Sequence, residues 1–333
     1  MSNAADADFY HLEQLLDDDG RDALHRTREF MTKEVGPVIN RYWTREEFPH
    51  ELIPGFAQLG ITGVAYTGYG CPGGGPLLDG MIAMELARVD PSFSTFSGVH
   101  GGLAMGSIYL CGSEEQKQRW LPPMARLEKI GAFGLTEPEV GSGAAGGLTT
   151  TARRDGDEWV LDGQKKWIGN ATFADYIIIW ARDTAAVLRL TRAGVAWMAV
   201  GCGRGAYEHA LAYSKERQQF GRPIAGFQLV QDQLVRMLAN VTSSACLCVR
   251  LAQLQEAGIA DDQHSALAKA FCTVRMRETV GLARELLGGN GILLEYHVGR
   301  FVADAEAIYS YEGTREVNTL IVGRAITGTS AFV

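Results

Sequence analysis

Between about residues 131 and 180 the chain abandons the helical period that governs it on both sides, and this switch limits its fold more than any other feature. Thr149-Thr-Thr-Ala-Arg-Arg154, Glu158-Trp-Val-Leu161, Gln164-Lys-Lys-Trp-Ile168 and Tyr176-Ile-Ile-Ile-Trp180 are short strand-like runs. Asp155-Gly156 and Asp162-Gly163 separate them, and Asp-Gly is a strong hairpin signal. These runs predict a small antiparallel β unit, whose open edges would need covering or pairing. Before it, Leu15 to Val35, Glu47 to Leu59 and Met81 to Arg88 carry helical spacing, and Ser113-Glu-Glu-Gln116 has the form of a capping box. Gly68-Tyr-Gly-Cys-Pro-Gly-Gly-Gly75 is a loop that no helix survives. After it, Leu234, Leu238, Val241, Ala245, Cys248 and Ala252 form an a/d seam. His264 to Leu287 reads as a helix stopped by Gly288-Gly289, and Gly313 to Ile326 as the closing one. The expected architecture is α+β, mainly α: an N-terminal helical domain (1–130), a middle antiparallel β domain (131–183) and a C-terminal four-helix bundle (184–333).

Charge and composition narrow the function classes. Lysine and arginine total 31 against 39 acids, a net charge of −8 that argues against non-specific nucleic-acid binding. The seven histidines are scattered without ligand spacing, so no metal site is expected. None of the six cysteines forms a C-x-x-C pair, and no signal-like stretch or run of about 18 apolar residues is visible, which reads as a reduced, cytoplasmic protein away from membranes. Forty glycines among 333 residues, against a usual ~7%, hint at close backbone approaches around a large ligand.

Some segments could carry chemistry. Glu312, in Ile308-Tyr-Ser-Tyr-Glu-Gly-Thr314, is either a poorly hydrated general base or a first-turn glutamate complementing a helix dipole. Phe133-Gly-Leu-Thr-Glu-Pro138, followed by Gly141-Ser142-Gly143, either offers backbone N–H groups and hydroxyls to a flat heterocycle or a pyrophosphate, or simply leads into the β unit. Arg217-Gln-Gln-Phe-Gly-Arg222 reads as a phosphate contact or a solvated helix end. Gly201-Cys-Gly-Arg-Gly205 is not a dinucleotide fingerprint, because it lies in a helical stretch without that spacing; close helix packing explains it.

Together these motifs resemble the acyl-CoA dehydrogenases. The match rests on Leu135-Thr-Glu-Pro138, Lys166-Trp-Ile-Gly-Asn170, Arg217-Gln-Gln-Phe-Gly221, Leu287-Gly-Gly-Asn-Gly-Ile292 and Tyr311-Glu-Gly-Thr314, spread over nearly the whole chain. Glu295-Tyr-His-Val298 and Gly323-Arg-Ala-Ile-Thr-Gly328 look most like glutaryl-CoA dehydrogenases; Gly68 to Pro72 and Asp90 to Phe96 look as much like short-chain acyl-CoA oxidases. The resemblance implies FAD as cofactor, Glu312 as the base that removes the α-proton, and departure of the β-hydrogen as hydride to the flavin. The developing enolate would be held by the base's own backbone N–H and a flavin ribityl hydroxyl. Leu135, Thr136 and Ser142 match positions around the flavin, with Trp167 and Ile168 beside its ring. Arg217, Phe220, Gly288 and Gly289 match residues that hold the adenosine end across a subunit interface, and Thr314 completes the cofactor set. Arg192 and Arg324 match arginines near the CoA phosphate and adenine, while Ser94, Tyr311 and Gly313 complete the substrate set. The family pattern further implies an electron-transfer flavoprotein as acceptor and an obligate oligomer, usually a tetramer.

This chain departs from that pattern in three places. Between Arg182 and Val187 the family has several more strands, so either the β domain is truly shortened or a segment is missing from the sequence as printed; the second is preferred. Gly169 stands where dehydrogenases usually carry a threonine that bonds the flavin. Ser94 and Gly98 stand where glutaryl-CoA dehydrogenases hold the substrate's distal carboxylate with an arginine and a serine. A buried carboxylate without a cation costs several kcal/mol, so a neutral short-chain acyl-CoA is expected over glutaryl-CoA. The alternatives are glutaryl-CoA dehydrogenase proper, a short-chain acyl-CoA oxidase, and a non-catalytic acyl-CoA or flavin-binding protein.

Overall fold

The computed structural model describes residues 7–141, 147–181 and 188–331, with side chains from 191 onward in the last stretch. In the first part, α1 (Asp18–Phe30) starts where the Asp17 carboxylate accepts the Gly20 N–H at 2.8 Å, and α2 (Ile39–Arg45) and α3 (Ile53–Gln58) follow. The glycine-rich loop is a tight ribbon of β1 (Thr67–Gly68) and β2 (Cys71–Pro72), turned through Tyr69 and Gly70 at φ 54° and 80°. Helix α4 (Gly75–Val89) begins directly from it, earlier than the apolar pattern suggests, because Pro76 is pre-set for a first helical turn. Asp90 caps α5 (Pro91–Ser97), which runs through wide π-helical turns at Gly98–Met105 into α6 (Gly106–Cys111) as one column. The capping box at Ser113 opens α7 (Glu114–Ala125) with both of its bonds made.

The β part differs from the expected antiparallel sheet. Strand β3 (Gly131–Gly134) pairs in parallel with β6 (Tyr176–Ile179), in the register Gly131↔Tyr176. Strands β4 (Thr151–Asp155) and β5 (Glu158–Asp162) form a separate antiparallel hairpin turned at Asp155-Gly156, exposed along both strands. Gln164 to Ile168 is not a strand. Lys165 turns inward instead, donating from Nζ to Glu137 Oε1 at 2.8 Å, Leu135 O at 3.0 Å and Trp180 O at 2.7 Å. A buried ammonium needs those acceptors, and a regular ladder would not supply them. Asp162-Gly163 is accordingly no turn: Gly163 lies so close to Thr150 that a Cβ would sit 2.4 Å from its Oγ1.

The last part is helical. In α8 (Leu188–Glu216), Gly201 and Gly205 press against α4, where a Cβ would fall 2.1 Å from Met84 O and 2.2 Å from Arg88 O. The glycine run is thus a backbone-to-backbone contact, as the packing reading holds. Helix α9 (Gln228–Glu256) buries Val241, Ala245, Cys248 and Ala252 of its seam, leaving Cys246 exposed. Its length and mean hydropathy of 1.3 over 18 residues would suit a membrane span by composition, yet here that face packs into the bundle. Helix α10 (Asp262–Leu286) ends with Gly288 at φ 59°, and α11 (Val298–Ser310) and α12 (Arg315–Thr327) close the fold.

Candidate active site

A cavity of ≈ 420 Å³ opens between α4, the α5 column, the end of β3, residues 167–169, the start of α8 and the Tyr311-Glu312 corner. The π-helical stretch helps to shape it, since Gly98, Gly101 and Gly102 present backbone rather than side chains to the lumen. Glu312 lies in the gap between α11 and α12, and it is no first-turn glutamate: Thr314 caps α12 by accepting Val317 N–H at 3.4 Å, and Glu316 is the first-turn acid. Glu312 and Gly313 are both left-handed, with φ of 56° and 82°. This corner is held from behind. Lys269 Nζ donates to Tyr309 O at 2.8 Å and Gly313 O at 2.7 Å, while Asn318 Nδ2 donates to Gly313 O at 2.9 Å.

The carboxylate itself accepts one hydrogen bond, from Thr191 Oγ1 to Oε2 at 2.7 Å. Burial pushes its pKa above the ordinary carboxylate value, opposed by Thr191 and by the positive charges of Arg192 and Lys269. Burial likewise pulls the Lys269 ammonium down to about 8, against the attraction of Glu312 and Glu316. A desolvated carboxylate with one donor and an apolar surround has the properties of a general base. Tyr311 Oη lies 3.3 Å from Thr95 Oγ1, and both residues line the cavity, as does Ser94, whose Oγ donates to Ala83 O at 3.0 Å.

The opposite wall contains Phe133, Leu135, Thr136, Trp167, Ile168 and Gly169. Among the described residues, the Thr136 hydroxyl and the N–H groups of Thr136, Ile168 and Gly169 have no protein acceptor. That row of free donors beside apolar rings suits a flat heterocycle rich in acceptors, so these residues fit the flavin that the resemblance implies. The wall is anchored by Glu137. Although burial opposes its charge, donors from Lys165, Thr149 and Thr150 hold it well below the usual carboxylate range.

The other sequence candidates lie elsewhere. Arg217 stands between α8 and β7 (Gln218–Gln219), and Phe220, 91% exposed, on the turn from β7 to β8 (Arg222–Pro223), while Gly288 and Gly289 lie at the end of α10. Arg324 is exposed on α12. Arg192 is buried rather than presented to a phosphate: its guanidinium pairs with Asp262 at 3.3 Å and its charge bears on Glu312. Ser142 and the junction at 182–187 lie outside the described residues. Sequence reasoning missed Thr191, Lys269 and the Lys165–Glu137 pair, none of which carries a local signal. It also missed Asp79, a cavity-lining acid whose signal was available: it interrupts the apolar run Leu77-Leu-Asp-Gly-Met-Ile82.

Known proteins resemble this chain along its length. The acyl-CoA dehydrogenase N-terminal, middle and C-terminal domains match residues 17–128, 132–219 and 180–327. A short-chain specific acyl-CoA dehydrogenase of Clostridium acetobutylicum is 30% identical, over 90% of this chain and 95% of its own. Its alignment runs over 362 positions, so roughly sixty have no counterpart in this 333-residue chain. Among solved structures, glutaryl-CoA dehydrogenase from Mycobacterium smegmatis superposes with a TM-score of 0.93 at 32% identity, covering 98% of this chain and 99% of that one. The same enzyme is also solved in complex with FADH2. Butyryl-CoA dehydrogenase from Megasphaera elsdenii gives a TM-score of 0.87 at 27% identity, covering 93% and 98%. With all three of the family's domains matched along its length and a relative of 30% identity covering 90% of it, the chain belongs to the acyl-CoA dehydrogenase family.

Proposed function

We propose that this enzyme removes hydrogen across the α,β-carbons of short, neutral acyl-CoA thioesters with FAD as cofactor. The observation that carries the choice of substrate is the cavity wall: among the described residues it contains no arginine, lysine or histidine, while Ser94 and Gly98 sit where a distal carboxylate would need a cation. Burying that carboxylate unpaired costs several kcal/mol, so glutaryl-CoA is disfavoured. Glu312 takes the α-proton, its raised pKa bringing it closer to working pH and its water-poor site preserving its basicity. Thr191 orients the carboxylate through Oε2, and Lys269 fixes the Tyr311-Glu312-Gly313 backbone. Bound FAD supplies the acceptor for the β-hydrogen; Thr136, Trp167, Ile168 and Gly169 would hold its ring, and Arg217, Phe220, Gly288 and Gly289 its adenosine end in a neighbouring subunit. The exposure of Phe220 (91%), Trp167 (81%) and Ile326 (79%) supports assembly into a homo-oligomer, a tetramer by family pattern. An electron-transfer flavoprotein is the acceptor and the cytoplasm the compartment in this reading.

The test is an anaerobic visible spectrum before and after addition of butyryl-CoA. Bleaching of the bound flavin by butyryl-CoA, faster than by glutaryl-CoA, is the expected result; a clear preference for glutaryl-CoA overturns the substrate assignment. In Glu312→Gln, flavin reduction should fall by about 10²–10⁴-fold, the usual contribution of a general base. Retention of the native rate removes Glu312 from its role as the base. Gly169 favours a second reading as an oxidase, since it brings no hydroxyl to the flavin wall. A Cβ there would lie only 3.1 Å from Val99 Cγ2, so the position is also shaped for glycine. Rapid reoxidation of the reduced flavin in air selects that reading.

A further inference from the structure

Among the described residues Asp79 is the one acid besides Glu312 in the wall of the cavity, and nothing in the mechanism uses it. On α4 it shares a face with Ile82, Ala83 and Leu86, at spacings of three, four and seven residues, and all of them line the lumen. Ala83 stands beside the place assigned above to the distal end of the substrate, because its carbonyl accepts Ser94 Oγ, and Ser94 adjoins the Thr95 that touches Tyr311. Four residues of helix rise place Asp79 roughly 6 Å further along the axis from Ala83. That is within reach of the far end of a short acyl chain.

The Asp79 carboxylate makes no hydrogen bond or ion pair with any described residue, and no basic side chain among the described residues lines the cavity around it. Asp79 is half-buried and faces the lumen, so a ligand that fills the cavity would desolvate this unpartnered carboxylate, which is costly unless the ligand itself completes it. An entirely apolar acyl chain would leave it unpaired, and a distal carboxylate would face it as a like charge. We infer that Asp79 is a specificity determinant that receives a hydrogen-bond-donating group, hydroxyl or ammonium, at the distal end of the acyl chain. Desolvation alone pushes its pKa up to about 6, with no opposing cation, so near neutral pH it is an acceptor in search of a donor. This inference rests on the proposed acyl-CoA dehydrogenation; a hydroxyl keeps the substrate neutral as in that reading, whereas an ammonium would make its tail cationic.

A set of equal-length substrates tests it: valeryl-CoA, 5-hydroxyvaleryl-CoA, 5-aminovaleryl-CoA and glutaryl-CoA, read as the apparent second-order rate of anaerobic flavin reduction. The wild-type protein should prefer the hydroxyl or the ammonium substrate to valeryl-CoA by about tenfold or more, because a site built around a donor rejects the analogue that lacks it. The arm that wins identifies which donor is natural. In Asp79→Leu that preference should vanish or invert, with valeryl-CoA gaining as the unpaired charge is removed. Asp79→Asn, close in volume, should lose the ammonium preference and keep most of the hydroxyl one. A ratio of donor to apolar substrate that is the same in all three proteins, or a wild-type preference for valeryl-CoA or glutaryl-CoA, overturns the role of Asp79 while leaving the dehydrogenation intact. Flavin that is reduced by none of the set, nor by butyryl-CoA, overturns the dehydrogenation reading itself.

Discussion

Glu312 shows how much a single backbone corner decides. Two consecutive left-handed residues turn its carboxylate away from helix α12 and into the cavity, where one threonine hydroxyl is its direct donor. Because Thr191 stabilises the charged form, Thr191→Val should raise the pKa of Glu312 further. The carboxylate must be deprotonated to act, so kcat/KM rises with pH through that pKa, and the acid limb of the profile should move to higher pH. A lost hydrogen bond of about 1 kcal/mol corresponds to a displacement of up to about one pH unit. A pH profile of anaerobic flavin reduction checks this, and a limb that stays put or moves down refutes it. At this scale the sequence was informative only where a motif is local. Tyr311-Glu312-Gly313 announces itself; Lys269 does not, since the carbonyls it holds lie 40 and 44 residues away and its own helix surrounds it with ordinary apolar neighbours.

The elements of the fold divide in the same way. Helices announced themselves through period and caps, because both are set by neighbours three and four residues apart. In the β part the local features formed as read, the hairpin at Asp155-Gly156 and the strand from Tyr176, but the non-local ones did not: β3 takes β6 in parallel across more than forty residues, and Lys165 gives up a strand position to pair with Glu137. Breaking that pair should be costly. Lys165→Met takes away the counter-ion of Glu137 and leaves it with the Thr149 and Thr150 donors alone, so it should lower the melting temperature and loosen the flavin wall enough to lower cofactor retention. Thermal unfolding and flavin content after gel filtration measure both. By contrast, surface pairs such as Arg126–Glu128 and Arg153–Asp155 should contribute less than about 1 kcal/mol each. The seam between α4 and α8 is equally unforgiving. Gly201→Ala places a methyl against a carbonyl oxygen that cannot rotate away, and overpacking of this kind costs about 1–3 kcal/mol.

For the molecule as a whole, buried charge should appear as a pH dependence of stability. Asp304 lies beside the buried Arg300–Asp90 pair, and burial raises its pKa from 3.8 to about 7, with Asp90 adding to the rise and Arg300 and Trp43 opposing it. A folded-state value above the unfolded one means that the native fold binds the proton more tightly. The stabilisation is complete below the ordinary carboxylate value and disappears as pH rises through about 7. Stability, followed as the melting temperature, should therefore fall as pH rises from about 4 to about 7 and level off above that, by a total on the order of a few kcal/mol to which the Asp79 titration near 6 also contributes. Asp304→Asn should flatten that slope. A wild-type protein whose melting temperature is level across the window contradicts the assignment.

The contact of Gly201 and Gly205 with α4 has a consequence for how this enzyme could change. Helix α8 carries Thr191 and α4 carries Asp79, so the hydroxyl that bonds Glu312 and the proposed end of the acyl tail are joined through main chain rather than through side chains. Main chain cannot shrink or swell by substitution. The gap between those two landmarks is therefore fixed like the jaws of a locked calliper. Descendants of this chain can line the gap differently, at residues 79, 82, 83 and 86, but they inherit its width.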